Sequence, residues 1–117
     1  AEACIESTTP DLAQAKWAIN KVRSRVGLGE VEATRENLRH ERRVELGMEG
    51  HRWFDLCRWG IVGDVMNTYR TKYGADNPNG NIEGSHMEPF VVGKHELMPI
   101  PAEEVRLGGL SQNNGYY

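Results

Sequence analysis

The segment ERRVELGMEGHRWFDLCRWG, Glu41 to Gly60, sets four arginines and four acidic residues among leucine, valine, methionine and three large aromatics. Residues of these types can do several kinds of chemistry. Glu45 and Glu49 stand four apart, so on one continuous helix they would form an acid–base pair. The neighbouring arginines oppose that use, because a cation beside a carboxylate favours its ionised form. A metalloprotease helix fails by spacing, since HERRV puts Val44 where a second histidine is required. A calcium loop fails as well: DNPNGNIE has Pro78 at the third ligand position and Gly80 one place early. No glycine-rich phosphate loop or serine elbow occurs. Nucleic-acid binding through Arg35, Arg39, Arg42 and Arg43 is opposed by the acidic residues interleaved with them. Cys4 and Cys57 fit no zinc or disulfide spacing and read as buried thiols. The sequence therefore assigns no catalytic residue, no metal ligand and no cofactor.

A structural use of the same charges fits better. At about 100° per residue, with Leu38 at zero, Glu45 falls near 340°, Glu49 near 20° and Arg42 near 40°. They lie inside an arc shared with Leu46, whereas Glu36, Arg39, His40 and Arg43 take the opposite, solvated side. Ions in an apolar arc require partners. The expectation is a buried ionic brace in which Arg42, Arg52 and Arg58 serve Glu45, Glu49 and Asp55. Trp53, Phe54 and Trp59 would stack against sugar if exposed; their spacing beside Leu56 and Cys57 favours the core instead.

The elements that position these residues read as helices. Thr9 is an N-cap candidate for a helix over Pro10–Val26, with Pro10 at its first position. Leu12, Ala15, Ile19, Val22 and Val26 form its apolar stripe, Trp17 lies off the stripe, and Gly27 and Gly29 end it. Ala1–Ile5 reads as the tail of a preceding helix, which makes a helix–turn–helix pair. A second helix is expected from Thr34 to about Glu49, then a helical segment His51–Trp59 and a short helix through Val62, Val65, Met66 and Tyr69. YGADNPNGNIEGSHMEP, from Tyr73, reads as a long loop, with Gly74–Glu88 expected to be the most mobile internal segment. Gly84–Met87 spells GSHM, the remnant of many expression tags, and is read as native by coincidence or at most as a loop edit, because the flanking patterns are collinear. FVV at Phe90–Val92 is a candidate strand. Pro99–Pro101 reads as extended, with a helical turn opening at Pro101, and LSQNNGYY reads as irregular.

Composition narrows the class. The chain has 117 residues, a net charge of −3 and 38% hydrophobic residues, with a sequence pI near 5.8. The acidic balance argues against a general nucleic-acid binder. No apolar run approaches the roughly 20 residues of a membrane helix, and Glu2 and Glu6 interrupt any secretion signal in the first ten residues. The first residue is not methionine and Ala1–Ile5 reads as a helix stub, so the chain is expected to be a fragment. Trp17 or the stub is then expected on an apolar patch that other segments cover.

The motifs resemble one family. Glu41, Arg42, Arg43, Glu45, Leu46, Glu49, Gly50, Arg52, Trp53, Phe54, Asp55, Leu56 and Arg58 follow the signature of the SusD/RagB family of outer-membrane nutrient-binding lipoproteins. AKWAINKVRSRVGL resembles the family's preceding helix, KHELMPIPAEEV its later Pro-Ile-Pro stretch (Pro99, Ile100, Pro101), and LSQNNGYY its closing residues. Gly47-Met48 replaces a common Ala-Phe, and Asn114 a common proline. The resemblance implies a mainly α fold of tetratricopeptide-like helical pairs followed by an irregular, loop-rich C-terminal segment. Residues 1–117 would be the C-terminal part of a single SusD-like domain, with scaffold helices in 1–70 and the long loop and extended segment in 71–117. It implies a cell-surface protein, anchored through an N-terminal lipidated cysteine upstream, that binds oligosaccharide or polysaccharide and delivers it to a SusC-like TonB-dependent transporter. It implies no enzyme and no cofactor, and puts most ligand-binding residues upstream. The alternative reading is a helical protein–protein interaction module without a carbohydrate ligand.

Overall fold

A computed structural model describes residues 1–73 and 88–116. Nearly all of the expected mobile loop, and the GSHM stretch with it, lies outside the described residues. Those described form six helices and no strand: α1 (Glu2–Glu6), α2 (Leu12–Ser24), α3 (Arg35–Glu45), α4 (Arg52–Arg58), α5 (Val62–Tyr73) and α6 (Ala102–Gly108). The mainly α architecture of helical pairs and an irregular C-terminal segment is thus realised. The chain divides into two compact units, Ala1–Arg52 and Trp53–Tyr117.

In the first unit α1 and α2 form the expected pair, and α1 also packs on α3. Ile5, Ala15, Ile19 and Leu38 make the core, with Ala1, Cys4, Val31 and Ala33 packed around it. The helix starts follow from short polar side chains that accept otherwise unpaired N–H groups. Asp11 rather than Thr9 caps α2, accepting from the Gln14 amide at 2.9 Å. Thr34 caps α3 as its sequence predicts, accepting from the Asn37 amide at 3.1 Å. Helix α2 ends where Gly27 adopts φ 72°; the amides of Gly27 and Leu28 donate back to the carbonyls of Ser24 and Arg23, a closure that needs a residue tolerant of positive φ. Of the predicted stripe only Ala15 and Ile19 are buried; Leu12 and Val26 are exposed, as is Trp17.

Helix α3 is shorter than the apolar pattern predicts. It stops at Glu45, and residues 46–50 turn, with Met48 at φ 70° and Gly50 at φ 78°. Glycine is a poor helix former, and Gly47 and Gly50 flank a methionine that is fully exposed. No packing is available there to hold another turn of helix.

In the second unit Leu56 and Val62 are buried on α4 and α5. Gly60 at φ 67° closes α4, its amide donating to Cys57 and that of Ile61 to Leu56. Phe90–Val92 does not form the expected strand. Asn67 on α5 takes the partner's place: the Phe90 amide donates to Asn67 Oδ1 at 2.9 Å, and Asn67 Nδ2 donates to the Phe90 carbonyl at 3.3 Å. Both backbone groups are satisfied by one side chain, so no neighbouring strand is required. After the Pro99–Pro101 stretch, α6 opens behind Pro101 and runs two turns rather than one.

Candidate functional site

The charged series is divided between the two units, and each is described by itself. In the first, ion pairs connect the helices. Arg23 on α2 donates to Glu41 on α3, and this pair is nearly enclosed, with side chains 15% and 14% exposed. Arg23 also donates from Nε to the Gly29 carbonyl at 2.6 Å. Arg25, just beyond α2, donates to Glu45, but both side chains are open to solvent, 61% and 43% exposed. Arg35 on α3 grips Glu6 on α1 with two hydrogen bonds, 2.7 and 2.9 Å. Arg42 approaches Glu2 at 4.0 Å. The hydrogen bond from Arg35 is the chief cause that holds the Glu6 carboxyl below its ordinary pKa, and the same bond raises that of Arg35.

The brace therefore exists, with different members. Glu45 and Glu49 were expected inside it, and both are exposed. Glu49 lies on the turn after α3, where His51 Nε2 stands 4.0 Å from its carboxylate. Because α3 stops at Glu45, the two carboxylates do not occupy successive turns of one helix, and the geometry of an acid–base pair is lost. Glu41 holds the inner position. The cations at Glu41 and Glu45 come from Arg23 and Arg25, outside the Glu41–Gly60 segment, rather than from within it.

Beside these pairs a groove of about 250 Å³ opens between α2 and α3. Ala18, Ile19, Val22, Leu38 and Leu46 give it an apolar lining, and Glu41, Arg42 and Glu45 line it as well. A second recess, about 240 Å³, lies on another part of the same unit, formed by Lys16, Trp17, Asn20, Lys21, Ser24 and Glu30.

In the second unit the predicted ionic partner of Asp55 is found. Arg58 donates from Nε and Nη2 to Asp55 Oδ1 at 3.0 and 2.8 Å, and Asp55 is buried. Its aromatics depart from expectation. Phe54 is 70% exposed and Trp53 37% exposed, while Trp59 is half-buried under the Arg58 guanidinium, 5.0 Å from its ring centre. Trp53 meets Phe90 edge-on at 5.9 Å and Phe90 meets His95 edge-on at 5.5 Å. Cys57 is half-buried; burial, then the nearby Glu96 charge, pushes its thiol pKa up, away from reactive thiolate. Cys4 is half-buried too.

Side-chain amides form a set of contacts absent from the sequence reading. Asn20 binds the backbone of Val31 in both directions, each bond 2.9 Å. Asn67 does the same to Phe90, and Gln112 to Ile100, at 2.7 and 2.8 Å. For the asparagines the signal is their place inside helices, where asparagine is otherwise a poor choice. Gln112 sits in irregular chain and gives no such signal.

Among the described residues no three His, Cys, Asp or Glu side chains converge to hold a metal, and no helix is long and apolar enough to cross a membrane. Inter-helix ion pairs and side-chain amide clamps hold a helical scaffold whose first unit carries open recesses. The chain belongs to the SusD family, whose model matches residues 1–116. It is similar to the SusD-like protein P25 of Formosa agariphila, 33% identical over 112 residues, a stretch covering 84% of this chain and 19% of that protein. The chain thus spans about a fifth of the length of the curated relative it matches. No solved structure matches it.

Proposed function

We propose that this chain is the C-terminal part of a single SusD-like domain, in a cell-surface protein that binds glycan for outer-membrane polysaccharide uptake. The protein delivers oligosaccharides to a SusC-like TonB-dependent transporter and is held at the outer membrane by a lipidated N-terminal cysteine. It has no catalytic role. The observation that carries this reading is the family match over residues 1–116. Glu45 ends α3 and Glu49 lies on the turn after it, both exposed, so the two carboxylates lack the successive-turn spacing of an acid–base pair. Residues 1–70 act as scaffold helices and 71–117 as the loop and extended segment, and the scaffold's ion pairs serve folding rather than ligand contact.

The test is isothermal titration of the full-length gene product with a panel of oligosaccharides, together with its isolation from outer membranes. Binding of at least one glycan and co-isolation of a TonB-dependent transporter is the expected result. A folded protein that binds no glycan but retains a protein partner would establish the alternative, a helical interaction module. The apolar lining of the α2–α3 groove is the feature that favours that alternative.

A further inference from the structure

The turn over residues 91–96 is closed by two of its own side chains. The Val91 N–H donates to His95 Nδ1 at 3.0 Å, and the Gly93 N–H donates to both oxygens of Glu96 at 2.9 and 2.8 Å. The Lys94 and His95 amides donate back to the Val91 carbonyl at 3.2 and 3.0 Å, so the turn closes on Val91 through both of its backbone groups. The residues on either side of Val91 are docked separately. Asn67 of α5 clamps Phe90, and Val92 lies so close to Gly63 of α5 that a Cβ there would meet its Cγ2 at 2.7 Å. The half-buried His95 ring also meets Phe90 edge-on at 5.5 Å.

A ring nitrogen that accepts a hydrogen bond carries no proton. The contact therefore requires the neutral imidazole, with its proton on Nε2. A proton added at Nδ1 sets one N–H against another, and the bond is lost. The titratable and polar groups that contacts place around the turn supply no substitute acceptor. Glu96 commits both oxygens to Gly93; it also stands near the Cys57 thiol of α4, whose pKa is raised by burial first and by this charge second. The Lys94 ammonium is a donor and lies 5.0 Å from the ring centre of Tyr116. Asn114 gives its Nδ2 to the Gly93 carbonyl at 3.1 Å. A freed Val91 amide turns to water, because Val91 is exposed. We propose that this turn is an acid-released latch: uptake of a proton at His95 Nδ1 frees the Val91 amide and opens residues 91–96, while Asn67 keeps Phe90 in place. The latch is closed above the range in which a histidine ordinarily changes charge, about pH 8 to about pH 5, and open below it. It does not depend on the glycan-binding reading.

The experiment measures hydrogen exchange on the full-length gene product as wild type, His95→Asn and His95→Phe, across the same pH range. Electron-transfer fragmentation resolves single amides, and each protection factor is taken against the free-chain rate at that pH. In the wild type, Val91 protection should fall about tenfold from the alkaline to the acid end, the order expected for one lost hydrogen bond. The Phe90 amide should hold its protection, because the Asn67 side chain that receives it does not titrate. His95→Asn keeps an acceptor oxygen near the place of Nδ1 with no proton to gain, so Val91 should stay protected at every pH. His95→Phe keeps a ring and no acceptor, so Val91 should be weakly protected throughout. A flat wild-type profile overturns the latch. An acid loss in His95→Asn equal to that of wild type assigns the effect to another group and overturns it too. A fall at Phe90, or across α2 and α3, in step with Val91 is a general opening of the protein and equally contradicts a latch confined to this turn.

Discussion

The two units solve the same problem with different materials. In Ala1–Arg52, three helices pack around Ile5, Ala15, Ile19 and Leu38, and the contacts between helices are reinforced by ions: Arg23 to Glu41, Arg35 to Glu6, Arg25 to Glu45. In the second unit, the described chain beyond α5 is mostly irregular; the Glu96 carboxylate accepts from the Gly93 amide at 2.9 and 2.8 Å, and the other side chains that hold its backbone are mostly neutral. Asn67 clamps Phe90, Gln112 clamps Ile100, Asn113 donates to the Met98 carbonyl, Asn114 to that of Gly93, and the Tyr116 hydroxyl to that of Leu97. Irregular backbone cannot satisfy its own N–H and C=O groups as a helix does, so side chains with both donor and acceptor are the economical solution. Helices satisfy their own backbone and leave the choice of neighbour to side chains, a task suited to charged pairs of defined geometry.

This contrast can be broken by mutation. The largest effect is expected at the enclosed pair. Glu41→Ala leaves Arg23 mostly desolvated without its carboxylate and should cost about 3 kcal/mol in chemical unfolding; a loss below about 1 kcal/mol, the range of surface pairs, would place the pair effectively in solvent. Asn67→Ala should come next, at about 2 kcal/mol, because it strips partners from both backbone groups of Phe90. Hydrogen exchange should show the Phe90 amide losing protection while amides of α2 and α3 keep theirs. Uniform loss across both units would mean that the clamp does not act locally.

Acid sharpens the same comparison. Glu6 has a lowered pKa in the folded protein, with the hydrogen bond from Arg35 as first cause. Its contribution is therefore present above the ordinary glutamate value of 4.5 and is lost as pH falls through the lowered value. NMR titration should give Glu6 a midpoint below 4.5, with α1 amides losing protection in that acidic window. The amide clamps carry no proton to gain there, so the Phe90 and Ile100 amides should stay protected. A Glu6 midpoint at or above the ordinary value would remove the Arg35 contact from the account. The smallest effect is a gain. Met48→Gly relieves a left-handed backbone position and should stabilise by about 0.5 kcal/mol after the added freedom of the unfolded chain is subtracted.

Much of this was legible in the residues. The helical class, the Thr34 cap and the glycine stop after α2 all follow from local chemistry, while the family is legible only through the resemblance of its motifs. The wheel also showed that charges enter the apolar arc of α3, and Glu41 falls in that arc about 60° from Leu38. Which acidic residue ends inside was not legible, because it depends on where Arg23 reaches from another helix. The early end of α3 was missed because the apolar period continues through Met48, whereas backbone preference at Gly47 and Gly50 prevails where no packing opposes it. The Phe90–Val92 strand was misread for a related reason: its backbone partner is a side chain 23 residues earlier in sequence, and alternation along a strand carries no information about what pairs with it.

The claim that the family's charged series is a graded structural brace is tested most directly by two double-mutant cycles. One pairs Arg23→Ala with Glu41→Ala, the other Arg25→Ala with Glu45→Ala, each followed by chemical unfolding. The account predicts a coupling of about 2 kcal/mol or more for the enclosed pair and about 0.5 kcal/mol or less for the exposed one. Equal couplings, or a larger one for Arg25 and Glu45, would contradict it.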